Sequence, residues 1–222
     1  MKDIKMNFEQ ARYNMIKQQF RPWHVCDAQT LDLVTEIHRE DFIPAPYRNL
    51  ALADINIPLL HGQVTMAPKI EARLLQSLAI QGNDQILEIG TGCGYLTALL
   101  AKLGGVVHSV DIYPEFTAMA ATALKLYNLH NVVLHTGDAI NGWAVHAPYD
   151  VIAITGSMPV LNDAFQLQLK TGGRLFMIIG TSPAMQVKLI RRLGEEEWSH
   201  EDLFETDLPP LIGAIRQPTF NF

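Results

Sequence analysis

An α/β fold built on a mostly parallel sheet is expected from three features of the sequence. Short apolar runs recur through the second half, helical periods separate them, and a glycine-rich turn joins the first such run to its helix. Ile86, Leu87 and Ile89 make the first run, of the kind found in a strand covered on both faces. Gly90, Gly92 and Gly94 follow, where the backbone can turn tightly and approach a ligand. Leu96, Leu99, Leu100 and Leu103 then set a helix over Tyr95–Leu103, with Gly104-Gly105 expected as its C-terminal cap.

From the N-terminus, Asn7 and Gln10 resemble a capping box, and Phe8, Met15, Ile16 and Phe20 form the apolar stripe of a helix ending before Pro22. A second helix is expected from Asp27, with Leu31, Val34 and Ile37 inward, stopping before Pro44 and Pro46. Between Leu50 and Pro68 no period is evident, and a long irregular stretch in a compact domain is usually functional. Pro68 suits the first position of a helix that buries Ile70, Leu74 and Leu78.

Beyond the glycine turn the order is strand Val106–Asp111, helix from about Pro114 to Tyr127, and strand Asn131–Thr136. Strand Tyr149–Thr155, helix Asp163–Leu169 and strand Arg174–Gly180 follow. Gln186–Arg191 and Asp202–Thr206 alternate apolar and polar residues without a helix between them, which predicts an antiparallel pair at the sheet edge. The expectation is one domain over 1–222, with N-terminal helices and a substrate loop in 1–80 and a Rossmann-like core with C-terminal strands in 81–222.

Composition narrows the function. The 222 residues are 48% hydrophobic and 18% charged, which suits one buried core. A net charge of −6 and a pI near 5.7 argue against a nucleic acid as the main partner. Cys26 and Cys93 fit no zinc or disulfide framework, no metal is expected, and Cys93 reads as a small residue filling the turn. No run reaches the roughly 18 apolar residues of a membrane span, and no signal peptide is evident, so a soluble cytoplasmic protein is expected.

The glycine turn then selects a cofactor class. A dinucleotide fingerprint needs a third glycine at 95 or 97, where Tyr95 and Thr97 stand, and the Gly-Lys-Ser/Thr ending of a P-loop is absent. Glu88-x-Gly90-x-Gly92-x-Gly94 resembles the first motif of Rossmann-like class I S-adenosylmethionine-dependent methyltransferases. Asp111 stands at a strand end 21 residues past Gly90, where a carboxylate can accept both ribose hydroxyls. By the same resemblance Asp138 would hold the adenine amino group, with Ile112 and Ala139 beside these acids, and Glu88 would orient the turn or face the cofactor ammonium. Methyltransferases acting on exocyclic or side-chain amides resemble one another in an Asn/Asp-Pro-Pro-aromatic sequence on the fourth strand. Thr155-Gly-Ser-Met158 stands here instead, which disfavours a nucleobase nitrogen as acceptor.

Several further segments resemble the protein-L-isoaspartate (D-aspartate) O-methyltransferase family in particular. They are Met15-Ile-Lys-Gln-Gln-Phe-Arg21, Arg39-Glu-Asp-Phe-Ile-Pro44, Ala53-Asp-Ile-Asn-Ile-Pro-Leu59, Gly137-Asp-Ala-Ile-Asn-Gly-Trp143, Ala147-Pro-Tyr-Asp150 and Leu169-Lys-Thr-Gly-Gly-Arg-Leu175. Pro210-Leu211 and Gln217 are similar to the family's C-terminal segment, which folds back near the cofactor. The resemblance implies S-adenosyl-L-methionine as cofactor and isoaspartyl peptides or proteins as substrate. One loop departs from it: where the family has Gly-Gln-Thr-Ile-Ser-Gln/Ala-Pro, this chain has Gly62-Gln-Val-Thr-Met-Ala-Pro68. Met66 takes the place of the serine beside the acceptor carboxylate, Val64 that of the threonine, and Thr65 carries the loop's remaining hydroxyl. Thr65, Met66 and His61 are therefore the candidate residues on the acceptor side. His61 is singled out because the other histidines lie on strands or surface-like segments. Two alternatives stay open, a relative that methylates another acceptor and a non-catalytic cofactor-binding protein.

Overall fold

The computed structural model describes residues 6–214. Seven strands form one sheet in the order β3-β2-β1-β4-β5-β6-β7. They are β1 (Gln85–Ile89), β2 (Val106–Asp111), β3 (Val132–Thr136), β4 (Tyr149–Met158), β5 (Leu169–Thr181), β6 (Ala184–Arg192) and β7 (Trp198–Thr206). Neighbours among β1 to β5 run parallel, while β5–β6 and β6–β7 are antiparallel, as the alternating tail predicts. The chain leaves β1 to one side for β2 and β3 and returns on the other side with β4. The crevice beyond the carboxyl ends of β1 and β4 is thus the switch point where such sheets bind ligands.

Successive residues of each strand face opposite layers. Ile86, Val107, Val151 and Phe176 pack with the helices α1 (Phe8–Met15), α2 (Ala28–Glu36), α3 (Pro68–Leu78), α4 (Tyr95–Leu103) and α5 (Pro114–Leu126). Leu87, Val110, Ile152 and Leu175 face the other way, toward α6 (Asp163–Leu167) and the irregular 137–148 connection.

Local chemistry explains the element ends, with some departures from expectation. Asp27 caps α2 by accepting from the Thr30 N–H at 2.8 Å. Asn7 caps α1 at 3.0 Å, but Gln10 turns to Asn14 rather than back to Asn7, so only half of a capping box forms. The first helix passes into a π-turn over Ile16–Phe20 and a 3-10 turn over Arg21–Trp23, so Pro22 falls inside the last turn instead of after it. Buried Arg12 replaces part of the apolar stripe and pairs with buried Glu40 at 2.7 Å. Gly104 is no left-handed cap, having φ −106°; a Cβ there would stand 2.4 Å from Ile86 Cδ1, so close packing of α4 on β1 demands the glycine.

Candidate active site

The turn after β1 is held from several sides. Gly90 donates its N–H to Val110 O at 2.8 Å, and a Cβ on it would fall 2.1 Å from Thr155 Oγ1. That hydroxyl is committed to the carbonyls of Ile89 and Gly90. Gly92, at φ 53°, donates to Asp111 Oδ2 at 2.9 Å, while Asp111 Oδ1 accepts from the Tyr113 N–H at 3.0 Å. Burial pushes the Asp111 carboxyl above its ordinary range, and these backbone donors oppose the shift. Its remaining lone pairs can accept from a ligand.

A loop closes over this turn. Pro58 bridges to Val64, Leu59 N–H donates to Gln63 O at 2.8 Å, and Thr65 N–H donates to Ile57 O at 2.9 Å. Leu59 Cδ1 comes within 3.5 Å of where a Gly92 Cβ would sit. The C-terminal segment forms another wall: Leu211 N–H donates to Ser157 O, Ser157 N–H donates to Pro209 O, and Ser157 Oγ donates to Leu208 O.

One cavity results at the switch point. Leu59, Gln63 and Val64 line it with Gly90, Gly92, Asp111, Ile112, Tyr113, Asp138, Ala139, Ile140, Thr155 and residues 208–212. Six of the nine cofactor-side candidates therefore share one space: Gly90, Gly92, Asp111, Ile112, Asp138 and Ala139. Asp138 uses Oδ1 to accept from the Ile140 N–H at 2.9 Å. Two candidates lie behind the wall instead. Gly94, at φ 84°, leaves room for α5, since its Cβ would stand 2.7 Å from Ala120 Cβ and 2.9 Å from Ala120 Cα; it serves helix packing and not ligand approach. Glu88 is fully buried, and Oε2 accepts from Thr97 Oγ1 and Ser109 Oγ, both at 2.5 Å. Burial raises its pKa to about 8 against those two donors, and Oε1 has no partner among the described residues. Ser109 in turn lies 2.6 Å from the Thr91 hydroxyl of the turn, so Glu88 reaches the turn only through that residue. Gln217 lies outside the described residues.

On the acceptor side the three candidates differ in setting. Met66 is buried where a small cavity beside the glycine turn meets a second hollow lined by Trp23, Asp54, Asn56, Lys69, Glu205 and Asp207. Thr65 lines the small cavity too, but its hydroxyl accepts from Arg39 at 3.1 Å and from the Ile57 N–H at 3.0 Å. It therefore fixes the loop. His61, at φ 55°, stacks on Tyr113 at 4.0 Å between ring centres and lies 3.4 Å from the Glu115 carboxylate, but it does not itself line the main cavity.

Further residues complete the site. Gln63, Val64, Tyr113 and Thr155 sit in the cavity wall. Arg39, with no solvent exposure, pairs with Glu71 at 3.0 Å and donates to Ala51 O, Thr65 Oγ1 and Met66 O. Burial alone would weaken its charge, but the adjacent Glu71 carboxylate holds it firmly cationic. The Arg-x-x-Phe-Ile-Pro sequence was the available signal, though it did not disclose those partners. Two strand histidines and one from a surface turn also converge: His108, His135 and His146 bring ring nitrogens within 4.8 Å of one another. Burial pushes the Cys93 thiol up to about 11, as befits a packed residue rather than a nucleophile.

The family profile described as Protein-L-isoaspartate(D-aspartate) O-methyltransferase (PCMT) matches residues 10–214. The chain belongs to this family. Curated members include the protein-L-isoaspartate O-methyltransferase of Rhodopseudomonas palustris, 34% identical over 201 residues, which are 90% of this chain and 92% of that protein. Protein-L-isoaspartate O-methyltransferase 2 of Pelobacter propionicus is 34% identical over 209 residues, 94% of this chain and 93% of its own. Among solved structures, a Plasmodium falciparum protein assigned to the family, in complex with S-adenosyl-L-homocysteine, aligns with a TM-score of 0.77 at 17% identity. The alignment covers 93% of this chain and 99% of that one. At that identity it supports the same fold, that of Rossmann-like class I S-adenosylmethionine-dependent methyltransferases.

Proposed function

We propose that this chain is an S-adenosylmethionine-dependent carboxyl O-methyltransferase acting on isoaspartyl residues of peptides and proteins, as its family membership indicates. The observation that carries the reading is the single cavity in which the 59–64 loop meets the glycine turn, so that a cofactor half and an acceptor half adjoin. S-adenosylmethionine is the cofactor, and the cavity suits it in donor set. Asp111 presents a braced carboxylate for the ribose hydroxyls, Asp138 an acceptor for the adenine amino group, and Ile112, Ala139 and Ile140 an apolar border for the base. When bound, the cofactor supplies an electrophilic methyl group on a sulfonium.

A carboxylate acceptor is already ionised at neutral pH, so the protein needs no strong general base. Its task is to hold the acceptor in line and shed part of its water. Val64, Leu59 and Met66 offer apolar walls for that purpose, and Gln63 offers an amide that can donate. The neighbouring backbone amide nitrogen of the substrate then attacks the methyl ester and expels methanol, giving a succinimide whose hydrolysis returns normal aspartate in part. Methionine at the family's serine position removes one hydroxyl donor, which costs one to a few kcal/mol and roughly tenfold to a few hundredfold in rate where such a donor operates. The family assignment does not favour a different acceptor.

We also read 1–222 as one methyltransferase domain: residues of α1 to α3 share a core with the sheet, and Arg174 of β5 donates to Leu78 O and Ala79 O at the end of α3. Among the described residues no helix is long and apolar enough to cross a membrane. Two free cysteines suit a reducing cytoplasm.

The test is transfer of label from S-adenosylmethionine to an isoaspartyl peptide, with the matching aspartyl peptide as control. Base-labile methyl ester on the isoaspartyl peptide alone is expected. Label on neither peptide, from folded protein that binds the cofactor, overturns the acceptor assignment.

A further inference from the structure

β2 and β3 pair with His108 opposite Val133 and His135 opposite Val110, so both imidazoles rise from one face of the sheet as diagonal neighbours. The 3-10 turn Ala144–His146 adds a third ring from above. His108 and His146 stack with centres 4.0 Å apart, and His135 lies 5.4 Å from each. His108 Nδ1 and His135 Nε2 are 3.2 Å apart. Two imidazoles on one tetrahedral ion, with bonds of about 2.0–2.1 Å, place their nitrogens about 3.3–3.4 Å apart.

Among the described residues, these ring nitrogens have no hydrogen-bond partner but one another. Only His108 Nδ1 and His135 Nε2 lie within hydrogen-bond distance of one another, so the trio keeps nitrogen lone pairs free for a further partner. It is a good donor set, since neutral imidazoles favour zinc, cobalt, nickel and copper over magnesium or calcium. His108 is buried, while His135 and His146 are half-exposed, which leaves a path for an ion and room for water as a further ligand.

We propose that His108, His135 and His146 form a binding site for a divalent first-row transition metal ion, separate from the cofactor cavity. Coordination requires the His146 ring, stacked on His108 at 13° between planes, to rotate out of that stack so that its nitrogen points at the shared ion. The site braces the 137–148 connection against the sheet: Trp143 packs on His135 at 5.4 Å and lies 3.0 Å from where a Gly137 Cβ would stand, and Gly137 to Ile140 form part of the cofactor wall.

Equilibrium dialysis of the untagged, chelator-treated chain against Zn²⁺, with Mg²⁺ as control, tests this. One Zn²⁺ per chain is expected, with no Mg²⁺ uptake, together with a rise in melting temperature. Co²⁺ should give the visible absorption of a four-coordinate site. His135→Ala and His146→Ala, both at half-exposed positions, should each weaken Zn²⁺ binding about tenfold or more, since even outer-shell changes cost that much. Circular dichroism verifies that these variants fold, and the Co²⁺ spectrum of the unaltered chain tests the site without them. Absence of stoichiometric Zn²⁺ or Co²⁺ uptake by the folded unaltered chain overturns the proposal, as does undiminished uptake by both folded variants.

Discussion

Arg39 ties itself to three other chain segments from a position with no solvent exposure: Glu71 on α3, the Ala51 carbonyl, and the Thr65 hydroxyl with the neighbouring Met66 carbonyl. Removing one partner of a buried ion pair leaves the other charge uncompensated, at a cost of about 3–5 kcal/mol. Arg39→Ala should lose about that much unfolding free energy in urea. Arg39→Lys should lose less, while still loosening the 57–66 loop, because an ammonium cannot reproduce the planar fork. A loss below about 1 kcal/mol for Arg39→Ala would show that the pair does not hold the loop. Glu88 sets a pH dependence. Its carboxyl is raised from 4.5 to about 8 in the folded protein. Between those values the unfolded chain sheds a proton that the native chain keeps, so this group's contribution to stability falls as pH rises through the window and levels off above it. The slope is at most about 1.4 kcal/mol per pH unit. Glu88→Gln should flatten the fall in unfolding free energy between about pH 5 and 8, and parallel profiles for the two proteins would refute the assignment. The partners of these two residues were not legible in sequence, because those of Arg39 lie 12 to 32 residues away and those of Glu88 lie 9 and 21 away. Asp111 was legible because a strand end in this topology points at the crevice whatever surrounds it.

At the scale of elements, the strands and helices of the β1–β3 half follow from apolar runs and glycine positions, and their observed limits agree closely with expectation. The later strands depart further. β4 continues past Thr155 to Met158 because Ser157 and Met158 pair with Ile178 and Ile179 of β5 after a register shift, and β5 begins at Leu169 because that residue pairs with Tyr149. Such pairings join distant segments and leave no local period. The glycine turn shows the same limit. Its three glycines look alike in sequence, yet Gly94 answers to α5 and not to the cavity. Gly94→Ala should therefore destabilise the fold by about 2–5 kcal/mol, combining a left-handed backbone penalty of about 1–2 kcal/mol with overpacking of about 1–3 kcal/mol. Calorimetric or urea unfolding measures this. A change within about 0.5 kcal/mol would mean that α4 and α5 can separate freely.

For the whole molecule, the cavity is assembled from chain segments around residues 59–64, 90–92, 111–113, 137–140, 155–156 and 208–212. A ligand that touches them all has the folded arrangement as its binding partner and has no comparable partner in the unfolded chain. Binding is then linked to global stability by mass action. S-adenosylhomocysteine at one hundred times its dissociation constant should add about 2.7 kcal/mol. For a chain of this length each kcal/mol moves the melting temperature by about 2–4 °C, so a rise of about 5–11 °C is expected. Asp111→Asn gives up a charged acceptor worth about 1.5–3 kcal/mol, which weakens affinity roughly tenfold to 150-fold. At the same ligand concentration its rise should shrink to about half of the original or less. Since Asp111 also braces Gly92 and Tyr113, each protein is compared with its own unliganded melting point. An equal rise in both proteins would remove Asp111 from the ligand contacts, and no rise in the unaltered chain would remove the cavity itself.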